Sequence, residues 1–172
     1  MFKLSSFLFE KLLLKAKKNI RSRESFNIHQ NHSESCQRLL NAINIGSYIQ
    51  PHRHFQANKK EMLIAMVGKF AIIEFFENGD FKNYTIFATE KFLDKNISSV
   101  AVELSSDCWH TVIALEPMSV LLEIKEGPFN PNEAKDLAPW APSPESKDVN
   151  EYVKKLYKYC CPELILSNLN ID

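Results

Sequence analysis

The sequence predicts an all-β sandwich or barrel with a helix near each end. Three observations carry this reading. From Ile43 to Glu126 the chain runs as short apolar or alternating stretches bounded by turn residues, with no long helical pattern between them. Of only four glycines, three (Gly46, Gly68 and Gly79) fall where such stretches end. Outside this region, two stretches show helical spacing instead. At 172 residues the chain suits one domain with a substantial core. It divides into an N-terminal helical segment over 1–41, a barrel over 42–127, and a C-terminal wrap, helix and tail over 128–172.

The first element is a helix over about 5–18. Leu4, Phe7, Leu8, Lys11 and Leu12 sit near helical spacing, Ser5 or Ser6 can cap it, and lysines gather at its C-terminal end. A polar stretch with Arg21, Arg23, Asn27 and His29 follows, and Glu34 to Asn41 reads as a second, short helix-like piece. The arginines there suit either a solvated loop or contact with an anionic substrate such as a phosphate. Strands are then predicted at 42–49, 51–54, 61–67, 70–76, 81–87, 99–104, 109–115 and 119–125, with Asn78-Gly79-Asp80 as a hairpin turn of the Asn-Gly type. A proline-rich run after Gly127 rules out regular structure and wraps the barrel with Trp140 as an apolar anchor. Ser143-Pro144 marks a helix start, and Val149, Tyr152, Val153, Leu156, Tyr157 and Cys160 form one apolar stripe that Pro162 ends.

Composition narrows the class. Hydrophobic residues make up 45 % and charged residues 24 %, as in ordinary soluble domains. Lysine plus arginine and aspartate plus glutamate both number 21, so no broad basic field for nucleic acid is expected. Four cysteines without CxxC spacing read as reduced thiols. Glu10 and Lys11 interrupt the apolar N-terminus, which argues against a signal peptide, and no run approaches the ~18 apolar residues of a membrane span. The expected location is cytoplasmic.

The chemistry gathers between Gly46 and Gly68. His52 and His54 are one residue apart, so on a strand both imidazoles project from one face. Glu61 enters the next strand, and His110 begins a later one. His52, His54, Glu61 and His110 supply three imidazoles and a carboxylate, a donor set for one divalent transition metal: zinc, manganese, iron or nickel. His29 and His32 read as loop residues. Glu123 and Lys125 share one face of a late strand and suit acid–base roles, or a surface ion pair. Arg23, Arg53, Lys60 and Tyr48 are candidate substrate contacts, with Lys59 beside them.

Gly46-x5-His52-x-His54, Glu61-x6-Gly68 and the later His110 resemble the two cupin motifs. More specifically, the chain resembles the WbuC family of cupin-fold metalloproteins over roughly residues 20 to 142. The matching stretches include Arg21-Ser-Arg23, Asn27-Ile-His29, Gln37-Arg38, Tyr48-Ile-Gln-Pro51-His52-Arg53-His54 and Lys60-Glu61. Further on they are Trp109-His110-Thr111, Glu123-Ile-Lys125-Glu126-Gly127-Pro128, Lys135-Asp136 and Trp140-Ala141-Pro142. The resemblance implies a mainly β, cupin-type double-stranded β-helix (jelly-roll) barrel. It also implies a role with bacterial surface polysaccharide (O-antigen), with a carbohydrate as the small-molecule ligand. Related cupins act on sugars or nucleotide sugars as isomerases and epimerases, and others are oxygenases or decarboxylases. A non-catalytic sugar-binding or regulatory cupin is the remaining class. Pairing through edge strands and the apolar N-terminal helix would give a homodimer. Two departures from the general cupin pattern stand out. The spacing from His54 to Glu61 is longer than usual, and Ser105 and Asp107 replace the proline and glycine ahead of the second-motif histidine. Asp107 is therefore expected to supply a positive φ there.

Overall fold

The computed structural model describes residues 1–54, 58–132 and 135–165. The expected tail falls mostly outside these residues.

The chain opens with helix α1 (Ser6–Lys18), capped by Ser5, whose Oγ accepts from Leu8 N. Ten strands follow: β1 (Arg23–Asn27), β2 (Cys36–Ile43), β3 (His52–Arg53), β4 (Glu61–Val67), β5 (Lys69–Phe75), β6 (Phe81–Ala88), β7 (Ala101–Leu104), β8 (Trp109–Ala114), β9 (Ser119–Glu126) and β10 (Asp136–Leu137). Helix α2 (Val149–Cys160) and a short α3 (Pro162–Ile165) complete it. The strands form two antiparallel five-stranded sheets, in the orders β1-β2-β9-β4-β7 and β10-β3-β8-β5-β6. This is the two-sheet arrangement of a jelly roll.

Three layers of apolar side chains hold the sheets and helices together. Between the sheets lie Ile43, Leu63, Phe70, Ile72, Phe87, Val112 and Leu121. Helix α1 covers the outer face of the first sheet, where Leu12, Leu13 and Ala16 meet Leu40, Ala42 and Val120. Helix α2 covers the outer face of the second sheet, where Val153, Leu156 and Tyr157 meet Ala71, Ile73 and Ile113. Tyr157 donates its hydroxyl hydrogen to Ala114 O and accepts from Gly46 N, tying that helix to two parts of the barrel. The bend that joins β4 to β5 needs Gly68, with φ of +86°: a β-carbon there would sit 2.1 Å from Ser119 Oγ.

Several sequence expectations need correction. The piece from Glu34 to Asn41 is not helical; residues 36–43 are β2, and 23–27 are a further strand paired to it. The predicted strand at 42–49 therefore begins and ends too late, and residues 44–51 lie outside any strand. The hairpin at Asn78-Gly79 is present, but its loop runs from 76 to 80 and only Gly79 has a positive φ. Helix α2 starts at Val149, after turns over 143–148, and not at Ser143-Pro144. Among its described residues the wrap contains one short regular element, β10, which pairs with β3. Trp140 packs on Phe75 and Trp109 as an anchor should. No helix among the described residues is long and apolar enough to cross a membrane.

Candidate metal centre and cavity

Register places the cluster. His52 on β3 lies directly opposite His110 on β8, and His54 follows β3. Glu61 begins β4 in the opposite sheet and reaches across the barrel, with its Oε2 3.1 Å from His54 Nε2 and 3.3 Å from His110 Nε2. One ligand-type atom from each of the four residues lies within 4.8 Å of the other three, and all four residues are buried.

The hydrogen bonds of the ring nitrogens favour a metal. His52 Nδ1 lies 2.9 Å from Gln50 O, and His110 Nδ1 lies 2.9 Å from Cys108 O. A carbonyl only accepts, so each Nδ1 donates its hydrogen there and each Nε2 is the nitrogen left to face the cluster. Such a bond also fixes ring orientation, as it does for histidines that bind metals. Burial, with Lys135 and His110 adding to it, lowers the His52 pKa well below the usual imidazole value, so His52 stays neutral as a ligand must. Burial alone would raise the Glu61 carboxyl, but contacts with His110, His54 and Lys125 outweigh it and hold the carboxyl well below its usual range. The four side chains fit one divalent ion, and three nitrogens with one oxygen do not select among zinc, manganese, iron and nickel.

The turn into His110 forms without a positive φ at Asp107. Positive φ outside glycine occurs among the described residues at Ser22, Asn58 and Met118. Asp107 instead accepts from Ser105 Oγ at 2.6 Å, and Cys108 N donates to Ser105 O, which closes the turn.

His52, Glu61 and His110 of the cluster form one wall of a cavity of about 320 Å³ between the sheets. Strand alternation sets its other walls. In the first sheet, Gln37, Lys125 and Glu61 form one row across β2, β9 and β4, and Leu39, Glu123 and Leu63 form the next. Ser25 on β1 lies beside Asn41 on β2. Ser25 Oγ donates to Asn41 Oδ1, Asn41 Nδ2 donates to Glu123 Oε2, and Lys125 Nζ donates to Glu123 Oε1 while lying 3.7 Å from Glu61 Oε1. Burial and the Glu61 charge raise the Glu123 carboxyl. Burial alone would lower the Lys125 ammonium, yet Glu123 and Glu61 together raise it.

Of the residues predicted as substrate contacts, only Arg23 lines the cavity. Its guanidinium donates to Tyr48 O. Tyr48 itself is buried on the far side of the second sheet, with its hydroxyl on Pro142 O. Arg53 points away from both flanking histidines, pairs with Glu77 and Asp136, and lies 4.4 Å from the Trp109 ring centre. Lys60 is exposed and pairs with Glu103, and Lys59 donates to Pro128 O. Sequence reasoning did not single out Asn41, Gln37 or Lys135 as lining the cavity, and it read His29 and His32 as loop residues. At the mouth His32 packs edge-on against Phe129, ring centres 4.8 Å apart. Gln37 Nε2 donates to Glu34 O and His32 O, and Phe129 N donates to His32 O, binding the 31–34 loop to the segment after β9.

A family model described as a domain of unknown function, DUF6016, matches residues 4–87. No curated protein matches the sequence. Protein SO0799 from Shewanella oneidensis is similar in structure over 96 % of this chain and 95 % of that one, with a TM-score of 0.53 and 8 % identity. CapF, solved with the inhibitor 3-isopropenyl-tropolone, is similar over 76 % of this chain and 45 % of its own, with a TM-score of 0.50 and 14 % identity. This chain thus corresponds to less than half of CapF. The fold is cupin-type. Identities this low speak to fold alone, and the metal cluster stands on its own geometry.

Proposed function

We propose that the protein is a metal-binding cupin acting on a sugar or nucleotide sugar, as an isomerase or epimerase, in bacterial surface-polysaccharide biosynthesis. One observation carries the catalytic part: the Glu123–Lys125 pair lines the same cavity as His52, Glu61 and His110 of the metal-ligand cluster. A bound divalent ion would act as a Lewis acid on a sugar carbonyl or hydroxyl. Isomerisation and epimerisation move a proton on a sugar carbon, which calls for a carboxyl able to accept and return it near neutral pH. Glu123 suits that task, because burial and the neighbouring Glu61 charge already favour its protonated form. Lys125 keeps its charge and holds Glu123 and Glu61 in place. The resemblance of residues 20–142 to WbuC-type proteins supports the polysaccharide setting.

The test is metal content by elemental analysis, beside a folded His52→Ala/His110→Ala variant, followed by turnover on a panel of sugars and nucleotide sugars. The expected result is near-stoichiometric zinc, manganese or nickel in the parent and none in the variant, with turnover abolished by chelator and by Glu123→Gln. Iron with oxygen uptake would move the protein to the oxygenases. No metal after reconstitution would overturn the metalloenzyme reading and leave a sugar-binding module.

A further inference from the structure

Every carboxylate oxygen facing the cavity is already engaged by the protein. Glu61 Oε2 faces His54 and His110, and its Oε1 faces Lys125. Glu123 takes Lys125 on one oxygen and Asn41 on the other. Two further cations line the same space, Arg23 from the start of β1 and Lys135 from just before β10. Neither forms an ion pair among the described residues. Arg23 spends one nitrogen on Tyr48 O, and Arg21, the nearby charge that acts on it, is also cationic. Among the described residues, cation therefore exceeds anion in this cavity, with three cationic side chains to two carboxylates, and a divalent ion would widen the excess.

A guanidinium set in a partly desolvated wall without a carboxylate is a site for an oxyanion supplied from outside. A second cation lining the same cavity adds charge and a second set of donors. The volume of about 320 Å³ sits at the small end of ligand pockets and suits a monosaccharide-sized molecule.

We propose that the ligand is a monosaccharide-sized polyol bearing an oxyanion group, carboxylate or phosphate, held by Arg23 and Lys135 while its hydroxyl or carbonyl oxygens face the His52–His54–Glu61–His110 cluster. This rests on the metal-site reading above and adds the charge of the ligand to it.

The experiment is calorimetric titration of the metal-reconstituted full chain with three probes: D-glucose, D-glucuronate and D-glucose 6-phosphate. At least one anionic sugar should bind about tenfold or more tightly than glucose. Tighter glucuronate binding assigns a carboxylate, and tighter glucose 6-phosphate binding assigns a phosphate. Arg23→Gln and Lys135→Gln should each reduce that preference about tenfold, with metal content unchanged. Lys135 packs in none of the three core clusters, so its variant remains informative if Arg23→Gln folds poorly. Equal binding of the three probes, no binding of either anion, or a preference kept in Lys135→Gln would overturn the proposal. Metal content is scored separately. A protein that holds metal without preferring anions fails this inference alone, whereas one that prefers anions without holding metal fails the metal reading alone.

Discussion

The two ends of the barrel interior are made by the same strands and differ in almost everything else. On β9 the inward residues run from Ser119 and Leu121 to Glu123 and Lys125, on β4 from Ala65 and Leu63 to Glu61, and on β8 from Ala114 and Val112 to His110. One end is a closed apolar core and the other a polar cavity. They meet within two residues along a strand, and Leu63, Val112 and Leu121 border both. Pairing and alternation are common to both ends, so the backbone does not make the site; a few side chains at each strand end do.

That contrast can be broken first from the apolar end. Ile72 is 1 % exposed and does not line the cavity, and Ile72→Ala should cost about 2–5 kcal/mol of unfolding free energy in denaturant titration. Metal content of the folded fraction should stay at the parent level. Loss of both together would mean that the two ends are one energetic unit.

The next effect is on pH and belongs to the polar end. His52 is held neutral in the fold, so as pH falls below about 6.5 the unfolded chain takes up a proton that the folded chain refuses. Stability of the metal-free protein should therefore fall through this range, by at most about 1.4 kcal/mol per pH unit for one proton. Glu61, also lowered, adds a loss of the same sign at more acid pH. Glu123, raised, contributes the opposite sign, since stability from its protonated form is lost as pH rises through its folded value. Thermal midpoints measured with chelator present should drop with acid in the parent and respond less in His52→Gln. A parallel response would place the titrating group elsewhere.

The smallest effect is on the outer surface beside the site. Lys60 precedes Glu61, yet it is exposed and faces Glu103. Lys60→Ala should leave the thermal midpoint and metal content unchanged. A drop in metal content would show that Lys60 influences the cluster across the strand.

The same geometry explains what could be read from the sequence. The His-x-His pair, Glu61 and His110 were legible because alternation sends residues i and i+2 to one face. Applied strictly, the rule also turns Arg53 and Lys60 away from that face; closeness in sequence to a ligand was a misleading guide. The outer strands were harder. Strand β2 buries Leu40 and Ala42 under α1 while its inner face carries Gln37 and Asn41 for the cavity. The inner positions thus lack the apolar alternation that marks a strand, and the run Gln37-Arg38-Leu39-Leu40-Asn41 resembles a helix face. Strand β1, with Arg23, Ser25 and Asn27 inward, is hidden for the same reason. Lys135 joins the cavity only through the wrap that brings β10 beside β3, a pairing across nearly half the chain that no local pattern announces.

Gly127 shows how an atom that is not there can shape access. Its φ is not positive, so the demand on it is one of space: a β-carbon would come within 1.8 Å of Glu34 O. That carbonyl also receives the Gln37 side chain, and Gly127 N donates to Ser35 O. Even a methyl group at 127 would push the 31–34 loop outward, and His32 and Phe129 would move with it. The threshold that a ligand crosses is therefore set outside the barrel, at a residue that touches neither ligand nor metal. Evolution could retune which molecules are admitted by reshaping this doorway while the chemistry within stayed the same.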